Sequence, residues 1–170
     1  MQIDLQIITE EPLWKKAIPD MKEVAEKVKN ATFSYVDLHE NIALLQSSKP
    51  IKINLCLSND EHVRQLNRDF RNKDKPTNVL SFANIDFAEF DMQNAPFAEV
   101  ELGDIIIAYE TMFKEAETEN ITLRAHFCHL LAHGFLHILG FDHVTDEEAE
   151  YMEHFEKEIL KDIGVADPYA

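Results

Sequence analysis

The sequence predicts an α/β fold of the α+β kind, with about five or six helices packed on a mixed sheet of about four strands. Short segments of alternating apolar residues are interleaved with segments of helical periodicity, which is typical of this class. The length of 170 residues suits one domain with its own core. Because neither a repeat nor a linker divides the chain, residues 1–170 are expected to form a single domain.

The N-terminal part is expected to contain one strand and two helices. Alternating Ile3, Leu5 and Ile7 predict a strand over residues 2–8. A helix is predicted from Pro12 to about Asn30, and Pro19 is a candidate break in it. Its apolar stripe would comprise Leu13, Ala17, Met21, Val24 and Val28. The spacing of Leu38, Ile42 and Leu45 favours a second helix over residues 33–46.

The middle of the chain is expected to form strand, helix, turn and strand. The segment IKINLCLS at 51–58 alternates and is rich in strand-forming residues. Ser58 and Asn59 are N-cap candidates for a helix through Phe70. The inward residues of that helix would be Val63, Leu66 and Phe70. KDKPT then predicts a turn, and NVLSFA predicts a short strand.

The C-terminal part is predicted to be mostly helical. An acidic and aromatic loop occupies 84–99, and a loop of this length is often functional. DIIIAYE at 104–110 predicts a buried strand, followed by helices over about 109–118 and 122–139. Thr145 and Glu148 form a capping box for a last helix, which Gly164 ends. Its apolar stripe would comprise Ala149, Met152, Phe155, Ile159, Leu160 and Ile163.

Charge and composition limit the classes of function. The net charge of -16 argues against a general binder of polyanions. One segment, Arg64 to Lys75, carries five basic residues and two acidic ones, and could act locally or be a solvated face. No apolar run approaches the length of a membrane span, and no exported-protein signal precedes the first strand, so a cytoplasmic protein is expected. Cys56 and Cys128 are expected to be small buried residues rather than a disulfide or ligands.

The segment HGFLHILGFDH at 133–143 predicts a metal centre. Residues four apart lie on one face of a helix, so His133 and His137 can bind one ion, although His129 and His133 share the spacing. Gly140 favours the first pair, because glycine commonly ends a helix in a left-handed conformation. That turn would bring His143 back over His137 as the third ligand.

Three neutral imidazoles leave a fourth coordination position open, as in catalytic sites. Zinc is the expected ion, and nickel, copper and iron remain alternatives. The spacing is that of the metzincin proteases, but their general base, a glutamate, is replaced by Gly134. The substrate is therefore expected to differ from a peptide.

Four segments resemble the bacterial YbeY endoribonucleases, which are also described as rRNA maturation factors. They are AHFCHLLAHGFLHILGFDH at 125–143, LNRDFRNKDKPTNVLSF at 66–82, LGDIIIA at 102–108 and IGVADPY at 163–169. The resemblance covers most of the chain from about residue 51. It implies a metal-dependent endoribonuclease specific for single strands, which matures the 3′ end of small-subunit ribosomal RNA and acts in ribosome quality control.

The same resemblance implies site residues and partners. The metal ligands would be His133, His137 and His143, and the functional arginine would be Arg71. Substrate-binding roles are predicted for Lys73, Lys75, His126 and His129. The two lysines could instead be solvated charges, and the two histidines could instead support the metal ligands from behind. The partners would be single-stranded RNA, chiefly small-subunit ribosomal RNA, with a small-subunit ribosomal protein and the ribosome-associated GTPase Era.

The mechanism expected is hydrolysis of a phosphodiester, with Arg71 stabilising the developing charge. Asp142 and the other histidines are candidates for the proton acceptor, and the RNA 2′-OH could be the attacking group. Two rival functions remain. One is a metal hydrolase of peptides or small molecules, and the other is a non-catalytic ribosome-assembly factor with a structural metal.

Overall fold

A four-stranded mixed sheet forms the centre of the structure, a computed structural model that describes residues 1–86 and 98–170. Its strands are β1 (Ile3–Thr9), β2 (Ile51–Ser58), β3 (Val79–Ala83) and β4 (Val100–Ala108). They lie in the order β1-β2-β4-β3, where β1, β2 and β4 are parallel and β3 is antiparallel to β4. The predicted α+β fold with a mixed sheet of about four strands is confirmed.

Seven helices are present in the described residues, against the five or six predicted. They are α1 (Leu13–Ala17), α2 (Met21–His39), α3 (Ala43–Gln46), α4 (Asp60–Arg71), α5 (Tyr109–Glu119), α6 (Leu123–Ile138) and α7 (Asp146–Asp162). The number is higher because two short helices, α1 and α3, are separate from α2. Pro19 lies between α1 and α2, and residues 40–42 lie between α2 and α3. The helix predicted over 33–46 is therefore the end of α2 followed by the single turn α3.

The two faces of the sheet are covered unequally. Residues of α1, α2, α6 and α7 pack on one face and form the main core. The opposite face is covered by α4, whose Val63 packs with Leu80, Ile106 and Ala108 in a smaller cluster. Side chains alternate between the two faces of the sheet along β2, and those of Ile53, Leu55 and Leu57 point into the main core.

Two predicted inward positions are wrong, and both lie near the end of a helix. Leu13 is exposed, and its neighbour Trp14 is buried instead, with its indole N–H donating to the Ser58 carbonyl at 2.8 Å. Phe70 is 70% exposed and contacts the ring of Phe82 from outside the cluster. At α1 the buried side lies one residue further along than predicted, and Phe70 borders an open cavity on the face of the sheet.

The remaining predictions concern the long loop and the membrane. The loop predicted over 84–99 lies for the most part, at 87–97, outside the described residues. Within the described ranges, no helix is long and apolar enough to cross a bilayer.

Candidate metal centre

The C-terminal end of α6 is shaped by a glycine turn. Gly140 has a positive φ of 100°. Its N–H donates to the His137 carbonyl at 3.0 Å, and the Phe141 N–H donates to the Leu136 carbonyl at 3.0 Å. These two bonds form a Schellman motif, which reverses the chain directly after the helix. The predicted left-handed turn is therefore present, and it directs the next residues back over α6.

This turn brings three imidazole rings together. His133 and His137 lie one turn apart on α6, with their Nε2 atoms 3.0 Å apart. The His143 ring centroid lies 4.8 Å from that of His137 and 5.4 Å from that of His133. One nitrogen from each ring falls within 4.8 Å of the others. Nitrogens around a tetrahedral zinc ion are about 3.3 Å apart, so the three rings fit one ion.

A buried carboxylate fixes the orientation of one of these rings. Glu156 on α7 is 1% exposed, and its Oε1 lies 2.9 Å from His133 Nδ1. Its Oε2 lies 2.5 Å from His129 Nε2 and accepts a hydrogen bond from the Tyr169 hydroxyl at 2.8 Å. When His133 donates from Nδ1 to this carboxylate, its Nε2 lone pair faces His137. Glu156 therefore selects the ring atom that can bind a metal.

Burial and neighbouring charges control the protonation of the site. Burial, together with the neighbouring His133 and His143, lowers the pKa of His137 to about 4. For Glu156, burial alone would raise the pKa, but hydrogen bonds from His129 and His133 outweigh it and bring the pKa down to about 2. At neutral pH the site thus holds a neutral imidazole beside a carboxylate, which is the state that metal binding requires.

A cavity of about 760 Å³ connects the histidines with the basic segment. It is named the histidine cavity below. Its walls include His133, His137, His143, Arg71, Lys73, Lys75, Asn78, Ser81 and Asp142. Arg71 is the last residue of α4, and its Nη2 donates to the Ser81 carbonyl at 3.0 Å. The structure thus brings the predicted ligands, the predicted arginine and both predicted lysines to one cavity.

The loop over residues 72–78, called the basic loop, is held in place from α4. Asn72 ends the helix in a left-handed conformation with a φ of 57°. Asn67 is 3% exposed, and its Nδ2 donates to the Lys75 carbonyl at 2.9 Å. Arg64 binds Asp74 through two hydrogen bonds of 2.8 and 3.3 Å. The loop therefore has fixed backbone contacts although its lysines are exposed.

The cations of the segment Arg64 to Lys75 fall into two groups, those in ion pairs and those that line the histidine cavity. Arg64 is paired with Asp74 and Glu61, and Arg68 is paired with Asp69. Within residues 1–86 and 98–170, no carboxylate lies within ion-pair distance of the remaining cations, which are Arg71, Lys73 and Lys75. These three are the cations that face the histidine cavity.

The other two predicted histidines, His129 and His126, contact carboxylates next to the site. His129 shares the Glu156 carboxylate with His133, and the two rings lie edge to face with their centroids 6.5 Å apart. His126 is buried, and its Nε2 lies 2.9 Å from the Glu115 carboxylate, which accepts from the Asn78 side chain in the cavity wall. Neither ring lines the cavity, so their substrate-binding role stays a prediction and their contacts favour a supporting role.

The position that carries the base in metzincin proteases faces away from the cavity. Gly134 is buried, and a Cβ built on it would lie 3.0 Å from Ile105 Cγ2 in β4. Helix α6 therefore lies flat on the sheet at this position. A glutamate at 134 would point into the apolar core, where its charge would have no partner.

Sequence reasoning missed Glu156 and Tyr169. A signal for Glu156 exists, because it lies four residues from both Met152 and Leu160 in the apolar stripe of α7. A lone carboxylate on such a stripe indicates a buried partner. Tyr169 lies in the IGVADPY segment, which resembles the family, but the sequence gives no sign that its hydroxyl donates to Glu156.

Comparison with known sequences agrees with the segments described above. The sequence profile described as Endoribonuclease YbeY matches residues 11–164. A protein named Endoribonuclease YbeY from Paramagnetospirillum magneticum is 41% identical over 158 residues, or 93% of this chain and 90% of that protein. A protein of the same name from Azorhizobium caulinodans is 39% identical over 170 residues, or 99% of this chain and 97% of that protein.

Among solved structures, the solution structure of TM1509 from Thermotoga maritima is similar to this chain. The TM-score is 0.53 at 19% sequence identity, and the match covers 94% of this chain and 91% of that one. At this identity the likeness concerns the fold alone.

Proposed function

The chain belongs to the endoribonuclease YbeY family, and from that membership we propose that it cleaves single-stranded RNA with a zinc ion held by His133, His137 and His143. The family makes the chain an RNA-cleaving hydrolase. Zinc and the single-strand preference are the further steps of the proposal.

One observation carries it: the histidine cavity contains the three histidines together with three cations that have no carboxylate partner among the described residues. An RNA phosphodiester is an anion and gains charge in the transition state, so it needs a Lewis acid and fixed cations on the same side. A peptide bond needs no such cluster of cations. The direction of position 134 into the core likewise disfavours peptide hydrolysis by the metzincin mechanism.

Arg71 is suited to bind the reacting phosphate. Its guanidinium lies 5.4 Å from the centroid of the Phe82 ring, and Nη2 is held by the Ser81 carbonyl. These contacts fix the plane of the guanidinium and leave other N–H groups for a phosphate oxygen. Lys73 and Lys75 extend the positive surface along the basic loop and would bind neighbouring phosphates.

The chain's residues also prepare the site for a metal ion. Glu156 keeps a proton on His133 Nδ1 and thereby leaves Nε2 for coordination. The low pKa of His137 keeps its ring neutral at pH 7. When bound, zinc supplies Lewis acidity and lowers the pKa of a coordinated water molecule. Nickel, copper and iron suit imidazole ligands as well, and metal analysis distinguishes them.

Asp142 is proposed to accept the proton. Among the described residues that line the histidine cavity, it is the only carboxylate. Its Oδ1 accepts a hydrogen bond from the His143 backbone at 2.8 Å, which fixes the group and leaves Oδ2 available. Attack by water with O3′ as the leaving group gives products with a 3′-hydroxyl and a 5′-phosphate. Attack by the RNA's own 2′-OH gives a 2′,3′-cyclic phosphate and a 5′-hydroxyl, so the product ends distinguish the two routes.

In the cell, the proposed substrate is the 3′ end of small-subunit ribosomal RNA, with a further role in ribosome quality control. A small-subunit ribosomal protein and the GTPase Era are the proposed partners. The net charge of -16 supports this view, because a strongly acidic chain binds free RNA weakly and benefits from a protein partner. Cleavage of naked RNA should therefore be slow and sensitive to salt, and faster on small-subunit particles.

The test uses purified chain of known zinc content with labelled single-stranded RNA, duplex RNA and a peptide. Arg71→Ala should lower kcat/KM on single-stranded RNA by about 100-fold, as for loss of one transition-state donor. His137→Ala should abolish both zinc binding and cleavage. The matched controls are Arg68→Ala, on the same helix outside the cavity, and His154→Ala, an exposed residue of α7.

Cleavage that survives both Arg71→Ala and His137→Ala would come from a contaminating nuclease and would contradict the proposal. Zinc binding without cleavage of any substrate would favour an assembly factor with a structural metal. Cleavage of the peptide alone would favour the rival hypothesis of a metal-dependent hydrolase of peptides.

A further inference from the structure

A second group of metal-binding side chains lies on the face of the sheet that α4 covers. Glu10 follows β1, Cys56 lies in β2, and His62 lies in the first turn of α4. One donor atom from each falls within 4.8 Å of the others. These residues, together with Ser58, are called the Cys56 cluster. Sequence reasoning had treated Cys56 as a small buried residue, but its side chain is only half-buried and borders a surface cavity.

The backbone holds the cluster in register. In the parallel β1–β2 ladder Ile8 pairs with Cys56, and the Glu10 N–H donates to the Leu57 carbonyl at 2.9 Å. On the other side, the Asn59 side chain caps α4 by accepting from the His62 N–H at 2.9 Å. The three donors therefore belong to segments whose main chains are fixed relative to one another.

The side chains of the cluster already converge on one point. Glu10 Oε2 accepts from Ser58 Oγ at 2.7 Å and lies 2.7 Å from His62 Nδ1. Ser58 Oγ lies 3.0 Å from the same ring nitrogen. A carboxylate only accepts, so the short contact from His62 Nδ1 to Glu10 is an N–H donating to the carboxylate, and a cation would replace this hydrogen bond.

The donor set is one imidazole nitrogen, one sulfur and one carboxylate oxygen, all of which are ligands of zinc. We propose that Glu10, Cys56 and His62 form a second divalent metal site, of the zinc class, separate from the three-histidine centre. Ligand atoms around tetrahedral zinc lie about 3.3 to 3.6 Å apart. The Glu10–His62 pair must open by about 0.6 Å to reach that distance, which rotation of the exposed Glu10 side chain allows.

The Glu10 carboxylate supplies negative charge beside Cys56 and His62, which favours a cation between them. Burial and the Glu10 carboxylate together raise the pKa of the Cys56 thiol to about 12, so metal binding must displace a proton from the sulfur. The thiol proton is released to solvent when the sulfur binds. A bound ion would join β1, β2 and the beginning of α4, the helix that ends at Arg71.

Sulfur distinguishes this site from the three-histidine centre in experiment. Cobalt(II) substitutes for zinc, and a thiolate ligand gives a sulfur-to-cobalt charge-transfer band in the near ultraviolet, whereas three imidazoles give none. The chain without an affinity tag is titrated with cobalt under reducing conditions. The wild type should show the band, and His137→Ala should retain it, since that substitution affects only the other centre.

The matched pair is Cys56→Ala and Cys128→Ala, which remove the two cysteines of the chain in turn. Cys56→Ala should abolish the band, and Cys128→Ala should keep it. His62→Ala and Glu10→Gln should each weaken cobalt binding at least about tenfold, in line with loss of one ligand from three. Circular dichroism checks that each variant is folded.

Absence of the band in the wild type, or its persistence in Cys56→Ala, would overturn the proposal. If Cys56→Ala does not fold, alkylation of the wild type by iodoacetamide decides, with the modified peptides identified by mass spectrometry. Zinc should protect Cys56 from alkylation, and equal modification with and without zinc would overturn the site. None of these measurements depends on RNA cleavage, so the result is independent of the proposed function.

Discussion

The substitution Glu156→Gln tests whether the buried carboxylate prepares the metal centre. Glutamine keeps the size of the side chain but has one acceptor oxygen in place of two and adds an N–H₂ donor. Glu156 now accepts from His133, His129 and Tyr169. With glutamine, at least one of these donors faces an amide N–H₂ or is left unpaired. Where that donor is His133 Nδ1, the ring proton shifts toward Nε2, which is the atom needed for the metal.

The expected magnitude follows from this geometry. Loss of a carboxylate behind a metal-binding histidine typically costs 10- to 100-fold in metal affinity, which corresponds to about 1.4 to 2.8 kcal/mol. Because Glu156 is 1% exposed, water cannot replace the lost hydrogen bonds, and the upper part of this range is expected. RNA cleavage at limiting zinc should fall by a similar factor, and excess zinc should restore most of it.

The assay is competition for zinc between the protein and a chromogenic chelator at pH 7. Glu153→Gln is the control, since this exposed residue lies on the same helix one turn earlier and changes the net charge equally. Thermal unfolding with a strong chelator present separates a loss of affinity from a loss of fold. Zinc affinity of Glu156→Gln within twofold of the wild type would refute the positioning role.

Three further predictions concern the basic loop, the packing of α6 and the Cys56 thiol. Asn67→Ala should lower the free energy of unfolding by about 1 to 2 kcal/mol and slow RNA cleavage, because the basic loop loses its buried anchor; denaturant titration and kcat/KM measure both, and unchanged cleavage would contradict it. Gly134→Glu should cost about 3 kcal/mol or more in the free energy of unfolding and create no peptidase, since the charge would be buried against the sheet; a stable variant that cleaves peptides would show that position 134 faces the cavity. With a chelator present, the raised thiol pKa predicts that Cys56 at pH 9 reacts with iodoacetamide at least about tenfold more slowly in the folded than in the unfolded chain, and that Glu10→Gln accelerates the folded-state reaction; equal rates in the folded and unfolded chain would contradict that pKa.

Much of the fold could be predicted from local patterns. The segment 51–58 was predicted from its alternation and its strand-forming residues, and it coincides with β2. Thr145 caps α7 by accepting from the Glu148 N–H, and Gly164 follows the end of that helix with a positive φ, as its capping signals indicated. These patterns depend on contacts between residues only a few positions apart, so they can be recognised in the sequence.

What could not be predicted depends on distant partners. Phe70 has the spacing of an inward residue, but only tertiary packing determines that its ring borders an open cavity at the sheet and stays 70% exposed. For the metal centre, the glycine turn at Gly140 and the helical spacing predicted which rings converge. The carboxylate behind them comes from another helix, so its contact with His133 is not a property of spacing.

The packing of α6 against β4 has a consequence for how the site can diverge. One side of this helix packs in the core at Gly134, and the other carries His133 and His137, so substitutions on these two sides affect packing or metal binding. The basic loop lies outside the core and is anchored by a few contacts from α4. Substrate preference can therefore be re-engineered by exchanging loop residues between relatives while the metal-binding helix is left unaltered.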